Sequence, residues 1–463
     1  MKKLLRFWGG VGTVLLLSWL SAKYYDCYFA NCDGIVYSLN INVLFGYLGG
    51  FGATIALLTA GLKSKFQPVV NVSLSLLSLL FFWVLAEVLC AGLIQIGISD
   101  SERPFHSRVL LSQKWLNHQK LFWGDMHPQF ARWRPANDTL TIHPCHGDSI
   151  TIATNSSGAR DVERTVKNRS QRKRVVMMGD SFVEGYLVNT PQRHSNLMED
   201  ATQCEHLNFG LNSTSPINYY LTYKHLAKQF EHDVVTVGIL PANDFEDYTP
   251  QQKTHLLKYP IYRPYWEGEF PNASIKYSLA HINQSVGAPS SRNRLVHIQQ
   301  VVDSVYRTLP LKDKLLTELS LNSYLFNQIL SLQLAYRKQT QTAQSSFSAN
   351  FFENRWGAFE HSLVQLIQEA KGKKMIFYLI PILDDIEMYH QNRIDDLSPK
   401  LEALCARHDV TLINLLPVFH AQGSAQWNSF YEPCDGHFTP KGEAFVAKTL
   451  LAHPAYRNAL GLP

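Results

Sequence analysis

Arg174-Val175-Val176-Met177-Met178-Gly179-Asp180-Ser181-Phe182-Val183-Glu184-Gly185 is the stretch on which the fold turns. An apolar run this short, stopped abruptly by Gly-Asp-Ser, reads as a buried strand that delivers a serine to a tight turn. At that position the Ser181 hydroxyl lies at a sheet edge. Its N–H falls among the unpaired amides of the next helix's first turn, where developing negative charge is favoured. Gly-Asp-Ser also occurs as an ordinary turn with aspartate as a helix cap, so the stretch alone leaves both readings open.

Outward from it, further short strands alternate with helical patterns. The strand segments are Arg174 to Met178, His206 to Phe209, Val234 to Leu240, Lys374 to Ile380 and Thr411 to Leu415. Ile217 to Phe230, Phe359 to Ala370 and Leu397 to His408 read as helices between them. This alternation predicts an α/β fold with a doubly wound parallel sheet. Three of its loops carry polar groups at strand ends or a helix start: Leu207-Asn208-Phe209-Gly210, Pro241-Ala242-Asn243-Asp244 and Cys434-Asp435-Gly436-His437, the last before Thr439-Pro440. In a parallel sheet such loops converge on one crevice with the Ser181 turn. Ser181 is then the candidate nucleophile, His437 the base and Asp435 the acid that orients the imidazole. The N–H groups of Ser181 and Gly210, with the Asn243 side-chain amide, form a candidate oxyanion hole. The plain alternatives are a φ > 0 turn at Gly210, an Asx turn at Asn243-Asp244, and a surface histidine capping the helix near Thr439.

Ser181, Gly210, Asn243 and His437, in that order and each at a strand end, resemble the four blocks of the SGNH (GDSL-like) hydrolase family over roughly residues 155 to 451. The resemblance implies a flavodoxin-like sheet, a serine ester hydrolase and the site roles just given, with no cofactor and no metal. The last block departs from the family habit. Asp and His usually stand three positions apart, whereas Asp435 and His437 are two apart. A backbone carbonyl, Asp384 or Asp385 is therefore the competing orienting group.

The 463-residue chain exceeds what this domain needs, and the surplus is N-terminal. Residues 1–100 read as a membrane anchor, 101–170 as a connector and 171–463 as the hydrolase domain with an insertion at about 245–352. Three uncharged or nearly uncharged stretches, Phe7 to Ala22, Val43 to Leu62 and Val69 to Ile98, predict three transmembrane helices, the last carrying only Glu87. A cleaved signal peptide is the competing reading of the first. Lys63 and Lys65 between the second and third place that loop in the cytoplasm, so residue 100 onward lies outside under either reading. The insertion leaves the sheet just after Asn243, so it is expected either as a lid beside the oxyanion hole or as a helical decoration on the sheet's flank.

Seven cysteines are present, and leaving aside Cys90 in the third stretch gives an even six, in keeping with export. A Cys405–Cys434 bridge would pin the catalytic loop; free thiols are the alternative. The net charge of +5 is spread out except at Lys167 to Arg174, which reads as a solvated linker. No nucleic-acid module is visible. His143, Cys145, His146 and Asp148 match no closed zinc spacing.

The expectation is a multi-pass protein of the cytoplasmic membrane with its serine esterase domain on the periplasmic side. Its partners are the lipid bilayer and an acylated envelope glycan or lipid carrying O-acyl groups, in the first place O-acetyl. An O-acyltransferase using the same serine and a non-catalytic glycan-binding protein of the same fold are the rival readings.

Overall fold

In the computed structural model, the described residues are 2–29, 35–36, 39–99, 125–127, 129–144, 147–245, 263–278, 309–340 and 344–462, with isolated positions at 104, 111, 302–303 and 306–307. The chain divides into two units. One comprises residues 1–118, 253–260 and 290–341; the other comprises 119–252, 261–289 and 342–463.

The second unit is built on five parallel strands: β1 (Arg174–Met178), β2 (Glu205–Asn208), β3 (Val234–Ile239), β4 (Lys374–Leu379) and β5 (Thr411–Asn414). Their order is β5-β4-β3-β1-β2. Every residue of β1 and β3 is buried, as continuous apolar runs covered on both faces require. The helices Pro216–His225 and Trp356–Glu369 pack together, and so do His194–Thr202 and Pro440–Ala452. The order reverses between β1 and β3. The loops leaving those two strands therefore part at the carboxyl edge and open a crevice.

Part of the expected connector belongs to this unit. Thr139–Ile142 and Ile150–Ala153 form an antiparallel hairpin. Its Leu140, Ile142, Ile150 and Ile152 bury against Tyr186 and Leu187, just past the Ser181 turn. Arg174, counted above in a solvated basic run, is 2% exposed, because its guanidinium is held 2.7 Å from Glu205 and donates to the Thr165 carbonyl.

In the first unit the helices Lys2–Phe29, Ile41–Ser64 and Gln67–Gln95 follow one another. Among the described residues two stretches, not the expected three, are long and apolar enough to cross a membrane: Leu44–Lys63 and Gln67–Gln95. Lys2–Phe29 is helical over 28 residues, and Lys23 and Asp26 close its apolar run. The indole of Trp83 donates to the Tyr47 hydroxyl at 2.8 Å and that of Trp8 to Thr59 at 3.1 Å, tying the three helices together. The expected insertion is shared between the units. Residues 261–289 go with the sheet, and 253–260 and 290–341 with the N-terminal helices.

Candidate active site

β1 ends at Met178, and after Gly179 the residue Asp180 caps a single helical turn, Ser181–Glu184. The Asp180 carboxylate caps it by accepting from the Phe182 N–H at 3.0 Å. Its other oxygen accepts from the Asn243 side-chain amide at 2.8 Å. The Ser181 N–H, first in that turn, has no hydrogen-bond partner among the described residues.

The C-terminal loop supplies the other half. Gly436 has φ 81°, and this left-handed bend folds Asp435 and His437 toward each other. Asp435 Oδ1 meets His437 Nδ1, and His437 Nε2 lies 2.7 Å from Ser181 Oγ. The chain thereby joins an acid, an imidazole and a hydroxyl in the order that proton transfer from the serine requires. The two-residue spacing is thus compatible with an Asp435–His437 contact. Asp385 is occupied elsewhere. It is fully buried, accepting from the N–H groups of Ser346 and Ile382 and the hydroxyls of Ser345 and Ser346.

The imidazole stands between two rings, with centroids 5.0 Å from Phe182 and 5.3 Å from Tyr186. Burial, reinforced by Glu184 and Asp435, holds the Tyr186 phenol well above its ordinary pKa, so it stays protonated beside the histidine. Ser181 is 6% exposed, whereas the His437 side chain is 20% exposed.

Gly210 is glycine for lack of room and not for a φ > 0 turn. A Cβ there would stand 2.5 Å from the Glu184 nitrogen and 2.8 Å from the Val183 carbonyl carbon, both backbone atoms beside the serine. Its N–H donates to Asn208 Oδ1 at 2.9 Å, and the Asn243 amide spends one hydrogen on Asp180. Of the three expected oxyanion donors, the Ser181 N–H points to no acceptor and Asn243 retains a second N–H. The Gly210 N–H is already held.

Three residues that the sequence reading passed over tie these loops together. Asn208 donates to the Val183 carbonyl at 2.7 Å and to Ser195 at 2.9 Å while accepting from Gly210. Glu184 and Arg134, each 1% exposed, form an ion pair at 2.6 Å. Glu184 also accepts from the Asn212 N–H at 2.6 Å, and Arg134 donates to the Gly210 carbonyl at 3.0 Å. Asn208 lies in Leu207-Asn208-Phe209-Gly210, where the sequence marks only the end of a strand. The Arg134–Glu184 pairing spans 50 positions and leaves no local mark.

Cys434, next to Asp435, is disulfide-bonded. The bridge to Cys405 does not form, because Cys405 is a free thiol buried in the core, with its pKa pushed up to about 12 by burial. Among the described residues no group of three or more metal-ligating side chains is found; Cys145 and His146 lie outside them.

No family model and no curated protein matches this chain. Among solved structures 18 chains match. A member of the lipolytic protein G-D-S-L family from Veillonella parvula is 12% identical, with 60% of this chain and 97% of that one covered and a TM-score of 0.31. A putative acylhydrolase from Bacteroides fragilis is 14% identical, with 64% and 91% covered and a TM-score of 0.24. A carbohydrate esterase family 2 enzyme with a carbohydrate-binding domain from Corynascus thermopiles (Myceliophthora fergusii) is 11% identical, with 68% and 72% covered and a TM-score of 0.29. At these scores the likeness adds nothing to the geometry of the chain's own site.

Proposed function

We propose that this chain is a membrane-anchored serine ester hydrolase of the SGNH type. The observation that carries the reading is the Ser181 Oγ to His437 Nε2 distance of 2.7 Å, with Asp435 on the far imidazole nitrogen. His437 takes the serine proton as Oγ attacks the ester carbonyl, and Asp435 steadies the imidazolium. The Ser181 N–H and the free N–H of Asn243 receive the charge on the carbonyl oxygen, and the alcohol departs with the proton from His437. Water then attacks the acyl-serine by the same route in reverse. Gly210 joins the oxyanion donors when substrate draws its N–H from Asn208.

The substrate is an O-acyl group, in the first place O-acetyl, on a glycan or lipid of the envelope. The low exposure of Ser181 favours a short acyl chain. Leu44–Lys63 and Gln67–Gln95, joined through Lys65, support a hairpin with its basic turn in the cytoplasm and the esterase domain outside.

The test is hydrolysis of p-nitrophenyl acetate and octanoate by the full chain in vesicles, with and without a fluorophosphonate. The expected result is faster turnover of the acetate, stopped by one covalent label on Ser181. Octanoate as the better substrate would overturn the acyl-length assignment, and labelling without turnover would overturn hydrolysis in favour of transfer.

A further inference from the structure

Glu87 is the one acidic residue in the helix Gln67–Gln95, and its partners come from the far side of the sequence. Its carboxylate accepts from the Ser323 hydroxyl, from the Tyr324 N–H at 2.8 Å and from the Leu325 N–H at 3.3 Å. Ser323 is the corner between the helices Leu311–Asn322 and Tyr324–Thr340, so Glu87 caps the second at its amino end. Ser99, just past the span, donates to Gln328 at 2.5 Å, one turn further along the same helix. All these residues belong to the N-terminal unit.

At 1.5 Å per residue Glu87 lies about 30 Å along the helix from Gln67, which is about the thickness of a bilayer's hydrocarbon. With Gln67 at one edge of the hydrocarbon, the corner at Ser323 falls near the other edge. The helices that meet there expose large apolar side chains. Leu311, Leu315 and Leu319, at i, i+4 and i+8, are 74%, 57% and 39% exposed; Ile329, Leu332 and Tyr336, at i, i+3 and i+7, are 43%, 60% and 68% exposed. Each set forms one stripe. Lys312 and Lys314 flank the first, and the Lys314 ammonium donates to the Arg307 carbonyl at 3.0 Å.

We propose that residues 311–340 form an interfacial helical hairpin, seated by Glu87 in the leaflet through which Gln67–Gln95 emerges, with these stripes in contact with lipid. The partner is the bilayer surface. The segment expected as a lid over the oxyanion hole is then a second membrane attachment, inserted in sequence between β3 and β4. The inference rests on the reading of Gln67–Gln95 as a membrane span.

The test is spin-label accessibility on the full chain in vesicles of phosphatidylethanolamine and phosphatidylglycerol. Single cysteines are introduced at Leu315, Leu319, Ile329 and Leu332, with Phe81 as the span control, Lys400 as the water control and the signal of the parent chain subtracted. The expected result is an oxygen-to-nickel-chelate collision ratio at the four positions several-fold above that at Lys400 and approaching that at Phe81. A ratio like that of Lys400 at all four, with Phe81 still lipid-exposed, would overturn the hairpin and leave the span intact. An aqueous signature at Phe81 itself would overturn the span reading and the hairpin with it.

Discussion

Asp435 and His437 are joined by a glycine that bends the chain, and their contact makes the acid's role measurable. Asp435→Asn keeps the shape but presents the wrong hydrogen-bonding group to Nδ1 and withdraws the charge that steadies the imidazolium, so turnover of p-nitrophenyl acetate should fall by about 10⁴. A loss of less than about tenfold would return the orienting role to a backbone carbonyl. Asn243→Ala should lower kcat by about 10²- to 10³-fold with little change in KM, as expected for a donor that engages only the developing oxyanion. Ser181 and His437 were legible because each sits in a short stretch where an apolar run or a glycine turn announces a strand end or loop. Asn208, Glu184 and Arg134 were not. Their partners are the Val183 carbonyl, the Asn212 N–H and the Gly210 carbonyl, groups that only the folded chain brings near. No local pattern encodes a side chain's partner when that partner is backbone from another loop.

The turn Ser181–Glu184 is held as a unit from below and behind. Gly210→Ala would drive a methyl group into the Glu184 and Val183 backbone, neither of which yields as a side chain would. A destabilisation of about 1–3 kcal/mol by urea titration is expected, with activity falling further than stability. Glu184→Ala removes one member of the buried ion pair with Arg134, and should cost about 3–5 kcal/mol by the same measurement. The strand β2 adds a pH dependence. Burial lowers the His206 pKa to about 4 against the contribution of its hydrogen bond to the Cys204 carbonyl, so the folded protein holds the ring neutral while the unfolded chain binds a proton below about 6.5. His206 thus contributes stability that is complete above pH 6.5 and lost as the pH falls toward 4, on the order of 3 kcal/mol. Urea midpoints measured from pH 7.5 to 4 should fall through that window, and His206→Asn should flatten the fall. The parallel strands were readable because their apolar runs are bounded by turn residues; the hairpin Thr139–Ala153 behind Tyr186 was missed because half of each of its strands faces solvent, which leaves no continuous apolar run.

Across the whole molecule, the two apolar helices and the basic turn between them carry the topology. An alkaline phosphatase fusion after residue 100 should be active and one at Lys63 inactive; the reverse pattern would put the serine in the cytoplasm. Two helices long and apolar enough to cross a membrane were legible from length and apolarity alone, while Lys2–Phe29, the third expected span, is helical but is not among them in the described residues. The division of the insertion between the two units was not legible, since Glu87 and Ser323 are 236 positions apart and each looks ordinary in its own segment. The proposed hydrolysis requires the Ser181 hydroxyl to be the nucleophile that His437 activates. Full-length protein in vesicles, treated with a fluorophosphonate and digested for mass spectrometry, tests this most directly alongside Ser181→Ala. One adduct on Ser181, lost together with ester hydrolysis in a variant that keeps its urea midpoint, is the predicted result. Near-normal hydrolysis by folded Ser181→Ala, or an adduct on another residue, would contradict it.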